Sequence, residues 1–168
     1  MEVLIQNDCI KLVRTQKQNL SFVMNAESAA ENIDFVSQWT LEQHEKALMD
    51  NDMRHLVAIN NKQQLVGFII VSGVLDLNDC IKLRRIVVTE KGNGYGNEII
   101  SLIQKWCFEI QNAHRLWLDV VDYNLRAQNL YKKHKFVHEG ILRECDKYKG
   151  NYNSLIIMSI LKKEYQPE

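Results

Sequence analysis

The chain is poor in the residues that break a fold, cross-link it or anchor it elsewhere. Of its 168 residues only one is proline and seven are glycine. Pro167 sits in the tail, so nothing in the body reads as a proline-rich linker or a kinked helix. The four cysteines, Cys9, Cys80, Cys107 and Cys145, lie far apart and form no C-x-x-C pair. That spacing excludes a disulfide scaffold, and reduced thiols in a cytoplasmic protein are expected. Five scattered histidines give no convincing ligand set, so no metal is expected. No apolar run approaches the ~20 residues needed to span a bilayer, and no membrane partner is expected. Residues 1–8 lack the basic start and long apolar core of a signal peptide. Charge of one sign is missing too: 21 basic side chains balance 21 acidic ones, with no long block of either. Nucleic acid, which is bound through clustered Lys and Arg, is therefore not an expected partner. The length suits one domain spanning 1–168, with a substantial core.

What is present is strongly periodic. Apolar alternation and β-branched residues predict strands over 9–15, 53–60, 65–75 and 80–88. The last three are joined by short polar turns at 60–64 and 76–79, which predicts an antiparallel meander. Leu20, Val23, Met24 and Glu27 fit one short helix, followed by a polar break over 25–34. Thr40 and Gln43 have capping-box spacing ahead of Leu41, His44 and Leu48. Later helices are expected over 94–111 and 124–134, and strands over 116–121, 136–143 and 154–161. A long polar turn is expected over 144–153. The strand-helix-strand unit of 81–121 should be parallel and right-handed. The expected class is α/β: a mixed sheet with helices on both faces, antiparallel first, then a parallel unit. Trp106, Phe108 and Trp117 read as core.

Residues 85–100 carry the first functional signal. Ile86, Val87 and Val88 end a buried strand. Gly92, Gly94 and Gly96 then remove side chains at alternate positions, and a helix follows at once. Bare N–H groups at a helix start suit a phosphate, through both hydrogen bonding and the helix dipole. This is not a Walker loop, because Asn97-Glu98 follows Gly96. Nor is it a dinucleotide fingerprint, because Asn97 stands where the third glycine is needed. From this stretch alone, a ligand-free turn is an equal reading. The second signal is the run 119–136. Asn124 sits at a strand-to-helix junction, Ala127 is small on the first turn, and Tyr131 follows two helical turns after Asn124 on the same face. Taken singly, Asn124 also reads as a plain cap and Tyr131 as a core aromatic.

In this order and spacing, the two clusters resemble the GCN5-related N-acetyltransferase (GNAT) superfamily. The likeness is closest to its RimJ/RimL-like branch, which includes spermidine acetyltransferases. The family's [Gln/Arg]-x-x-Gly-x-[Gly/Ala] signature reads here Lys91-Gly92-Asn93-Gly94-Tyr95-Gly96. Its second signature reads Asn124, Ala127, Leu130-Tyr131 and Phe136, with Lys135 where glycine is usual.

The resemblance implies acetyl-CoA as co-substrate. Its pyrophosphate would lie on backbone N–H groups around Lys91, Gly92, Asn93, Gly94, Tyr95, Gly96 and Asn97. Its pantetheine arm would pair with the backbone of Ile86, Val87 and Val88, where the two parallel strands splay. Asn124 would bond that arm beside Ala127, and Tyr131 would protonate the leaving thiolate. The implied reaction is direct acetyl transfer to a primary amine: a polyamine, an amino acid or amino sugar, an antibiotic or a protein N-terminus. In many relatives a Glu helps deprotonate the amine at the position of Lys82. Asp119 on the neighbouring strand is the expected replacement, ahead of His138 and Glu139. Trp39 falls on the acceptor side, and a homodimer is common among look-alikes. The alternative is a catalytically silent CoA-binding sensor or interaction module of the same fold.

Overall fold

The computed structural model describes residues 2–167; Met1 and Glu168, the ends of the expected domain, lie outside the described residues. Eight strands form one sheet. They are β1 (Val3–Gln6), β2 (Ile10–Arg14), β3 (Arg54–Asn60), β4 (Leu65–Ser72), β5 (Cys80–Val88), β6 (Arg115–Val121), β7 (Val137–Tyr148) and β8 (Asn151–Leu161). Their spatial order is β1-β2-β3-β4-β5-β6-β8-β7. The helices are α1 (Leu20–Ser28), α2 (Leu41–Met49), α3 (Tyr95–Lys105) and α4 (Leu125–Lys133). The expected mixed sheet is thus present: β1 to β5 form an antiparallel meander, and β5 pairs parallel with β6.

Two cores lie on opposite faces of the sheet. One gathers Leu56, Ile69, Ile81, Leu83, Leu116 and Leu118 with Ile99, Ile103 and Trp106 of the α3 region. The other sets Val57, Phe68, Ile70 and Val87 against Val23 and Ala26 of α1. β5 serves both because of a bulge. Its pairing with β4 steps from Ile70–Arg85 to Val71–Leu83, leaving Arg84 over. An extra residue reverses the facing of everything after it. Ile81 and Leu83 face one core, while Arg85 turns toward the other.

α2 begins as its sequence predicts. The Gln43 N–H donates to Thr40 Oγ1 at 3.2 Å, and the Thr40 N–H donates to Gln43 Oε1 at 2.8 Å. α3 runs into a π turn at Trp106–Ile110, which buries Trp106 and Phe108 as expected. Trp117 departs from expectation. It points away from the α3 core, is only partly buried, and lies under the Lys82 ammonium at 4.5 Å from its ring centroid.

Two further expectations are corrected. β1 was not anticipated; its short run pairs antiparallel with β2 at the sheet edge. The long polar turn over 144–153 does not exist. β7 and β8 instead continue to a two-residue reversal at Lys149 and Gly150, both at positive φ. That is the backbone a tight right-twisted hairpin requires. The misleading signal was polarity: β7 is exposed along nearly its whole length, so it lacks a buried alternating face.

Candidate active site

The cleft arises from incomplete pairing of β5 and β6. They share register only at Cys80–Arg115, Ile81–Leu116 and Lys82–Trp117. Beyond this, β6 keeps its pairing with β8 to Val121, while β5 runs on to Val88 beside β4. The strands part, and the backbone between them is free to receive an extended ligand. A cleft of about 640 Å³ occupies this opening.

Nearly all the residues singled out by sequence meet here. Ile86, Val87, Val88, Lys91, Gly92, Gly94, Tyr95, Gly96 and Asn97 line the cleft. So do Asp119, Asn124, Ala127 and Tyr131. Asn93 and Trp39 are not part of the lining: the Asn93 side chain turns to Glu90, 3.3 Å away, and the Trp39 ring, expected on the acceptor side, packs behind the wall under Arg85. His138 and Glu139 also lie outside the lining; Glu139 is tied to Arg115 and Ser159 on the outer strands.

The glycine turn is built for an anion. Gly94 caps α3 in the left-handed region, with φ of 80°. A Cβ added there would meet nothing within 4 Å, so the space above the turn is open. The N–H groups ahead of Asn97 have no carbonyl one turn back to bond, whereas the Asn97 N–H, expected to face the phosphate, already donates to the Gly94 carbonyl at 2.9 Å. Lys91 and Arg126 both line the same cleft. Burial, with the nearby Arg126 charge, lowers the Lys91 ammonium from its usual value. Two like charges held together at an open helix start favour a phosphate between them. Lys91 also bonds Asn32 Oδ1, across the cleft.

At the other end, Asn124 caps α4 by accepting the Ala127 N–H at 3.1 Å. Its amide group keeps two donors for a ligand. Tyr131 is buried and packs on Phe136 with ring centroids 5.7 Å apart. Burial, and then the Asp119 charge, push its phenol above the ordinary range, so it stays protonated at neutral pH. Asp119 itself is ion-paired with Lys82 across the splay. Lys135 takes φ of 65°, the left-handed conformation that explains why glycine is usual at that position.

Several cleft residues carried no sequence signal. The irregular segment after α1 contributes Asn32, Asp34, Phe35 and Ser37. The β7–β8 tip contributes Asp146, Lys147 and Tyr148. These two walls are latched: Tyr148 OH donates to Asp34 Oδ1 at 3.1 Å, Lys149 Nζ at 2.8 Å, and Tyr123 OH to the Asp34 carbonyl at 2.7 Å. Only tertiary structure brings residues more than 100 apart together. Arg85 carries a weak sequence signal, as a charge directly ahead of the β-branched run Ile86-Val87-Val88, where charges are rarely buried unpaired.

Among the described residues no helix is long and apolar enough to cross a membrane, and no cluster of three His, Cys, Asp or Glu is placed to hold a metal.

The geometry agrees with comparisons to known proteins. The family model of the acetyltransferase (GNAT) family matches residues 20–136. A spermidine N(1)-acetyltransferase of Vibrio cholerae is 26% identical over 170 residues, covering 95% of this chain and 96% of that protein. The crystal structure of spermidine N-acetyltransferase from Vibrio cholerae in complex with CoA and spermine superposes with a TM-score of 0.84. It shares 23% identity, over 94% of this chain and 98% of that one. An uncharacterized N-acetyltransferase of Bacillus licheniformis is 30% identical over 74 residues, 44% of this chain and 42% of that protein. The splayed strands, the glycine turn and the buried tyrosine therefore belong to a member of the acetyltransferase (GNAT) family, an acetyl-CoA-dependent N-acetyltransferase.

Proposed function

We propose that this chain acts as one domain over 1–168 and acetylates a primary amine by direct transfer, with a small polyamine as the leading acceptor class. The observation that carries the reading is the cleft, where the open glycine turn, the unpaired strand backbone and Tyr131 line one cavity. The polyamine class is supported by the spermidine acetyltransferase likeness along nearly the whole chain.

Each residue then has a defined task. N–H groups of the turn from Gly92 to Gly96 hold the pyrophosphate, helped by Lys91 and Arg126. The backbone of Ile86, Val87 and Val88 pairs with the pantetheine arm as an added strand would. A backbone N–H near Val87 faces the developing negative charge on the thioester oxygen. Asn124 orients the arm through its free amide donors. Tyr131 donates to the departing sulfur. A phenol held above its usual range is a better hydrogen-bond donor than full proton source, so complete transfer must be coupled to return of a proton. The amine must be neutral to attack, and Asp119 takes its proton, with Lys82 holding the carboxylate in place.

Thermal unfolding with and without acetyl-CoA tests this reading. Binding to the native state alone raises the melting point by mass action. A Gly94→Glu variant, which sets a carboxylate where phosphate would sit, should lose the shift. Thiol release on adding spermidine is the expected second result. No shift at saturating acetyl-CoA would sink the reading. A shift without turnover on any amine would favour the silent CoA-binding module.

The assembly supported by the fold is a homodimer. β7 closes the sheet as an open edge, with Val137, Ile141 and Leu142 each about half exposed. Four free cysteines favour a reducing, cytoplasmic setting. A single-chain mass by light scattering would end the dimer reading, and secretion of the native protein the cytoplasmic one.

A further inference from the structure

Outside the transfer machinery, a heavily buried ionisable cluster lies beneath the cleft wall at Ser37, the side on which the family resemblance places the acceptor. Glu27 of α1 is 1% exposed and Arg85 of β5 is 8% exposed. They form an ion pair. Glu27 does more than neutralise the arginine. Its Oε2 accepts the Trp39 N–H at 3.2 Å and lies 3.3 Å from His44 Nε2. Its backbone carbonyl accepts from Gln38 Nε2 at 3.0 Å. Arg85 in turn donates to Ser37 Oγ at 2.9 Å and stacks over the Trp39 ring, 4.4 Å from its centroid. Thus Ser37, Gln38 and Trp39, in the irregular stretch before α2, are each bonded to Glu27 or Arg85.

The cluster is closed on its far side. His44 Nδ1 lies 3.1 Å from His55 Nε2, and His55 Nδ1 lies 2.9 Å from Thr15 Oγ1. With both rings neutral, one tautomer set satisfies every atom. Thr15 donates to His55, His55 Nε2–H donates to His44, and His44 Nε2–H donates to Glu27. Burial, and with it the nearby Arg85 guanidinium, pushes His55 down to about 3, which agrees with a neutral ring. A fully paired buried network is rigid, whereas a half-paired one is costly.

Two placements give this rigidity a functional consequence. Arg85 stands one residue before the strand segment Ile86 to Val88, and both Arg85 and Ser37 line the cleft. We propose that Glu27 and Arg85 are positioning residues that fix the acceptor wall at Ser37–Trp39 to the strand beside the thioester, and so set amine affinity without touching acetyl-CoA. The bulge at Arg84 makes this attachment available, because it turns Arg85 toward α1. This role rests on the function proposed above.

Steady-state kinetics with each substrate varied in turn provides the test. Ser37→Ala removes the wall's end of the tie at an exposed position and leaves the buried pair intact. The expected result is an amine KM raised about fivefold, the worth of one hydrogen bond, with acetyl-CoA KM within about twofold of wild type. Ser37→Thr, which keeps the hydroxyl, should restore the amine KM. Arg85→Lys keeps the charge but loses the planar fork, and should raise the amine KM by about tenfold. Should Arg85→Lys fail to fold, the Ser37 pair of variants decides alone. An unchanged amine KM in Ser37→Ala, or equal rises in both KM values, would overturn the role while leaving the enzyme reading intact. Absence of turnover in the unaltered protein would remove the function, and this role with it.

Discussion

Tyr131→Phe is expected to lower kcat by about 100-fold or more, the range over which a positioned proton donor contributes. Acetyl-CoA binding should be nearly unchanged. The substitution deletes one hydroxyl and keeps the ring, so packing on Phe136 survives. Affinity measured by thermal shift therefore separates loss of chemistry from loss of fold. The pH profile adds an independent check. Burial and the Asp119 charge hold the phenol above its ordinary value of 10.0, so its proton is retained across the neutral and mildly alkaline range. The sign for stability follows. The unfolded chain ionises this tyrosine first as pH rises, so its contribution to stability is complete below about pH 10 and is lost above it. In the enzyme, kcat should show no fall near pH 8 or 9 that belongs to Tyr131. Such a fall, present in wild type and absent from Tyr131→Phe, would refute a protonated donor. Equal kcat in both proteins would remove Tyr131 from the reaction.

Gly67→Ala should have the largest effect on the fold. Gly67 lies on β4, opposite Val88 of β5. A Cβ built there would stand 2.4 Å from the Val87 carbonyl oxygen and 3.4 Å from the Val88 Cα. These are backbone atoms, so no rotamer change can relieve the contact. β5 itself must move, and it carries the proposed pantetheine-pairing backbone. Overpacking of this kind costs about 3 kcal/mol at the upper end of its usual range. For a chain of this size, that is a melting point lower by about 10 °C. Activity should fall further than the loss of folded protein accounts for, because the strand is displaced at the reacting centre. A melting point within about 2 °C of wild type would show that β4 and β5 are not held as closely as their register implies.

Both variants act at the cleft beside the end of β5, and that is also where sequence was most informative. Ile86, Val87 and Val88 were legible as a strand because β-branched residues fit a pleated, buried surface. The glycine turn and Tyr131 were legible because their spacing is local: a turn, a cap and two helical turns are fixed by neighbours in the chain. The capping box at Thr40 and Gln43 was legible for the same reason. The hairpin tip was not, since β7 has no buried face to impose an alternating pattern. The splay between β5 and β6 was expected through the family resemblance alone, because it depends on where pairing stops.

The sequence by itself determined most of the elements, with β1 and the β7–β8 tip excepted, the alternation of strand and helix, and the set of residues at the glycine turn and on α4. Each follows from chain-local physics: periodicity, capping and backbone freedom. Tertiary structure alone decided which charges meet. It put Lys82 on Asp119, Arg85 on Glu27, and the Lys149 and Tyr148 tip on Asp34. Those partners lie 37, 58 and more than 100 residues apart. No periodicity links positions so distant. Their pairing is set by sheet order and by one bulge, which turned a strand arginine away from the α3-side core and toward a buried glutamate.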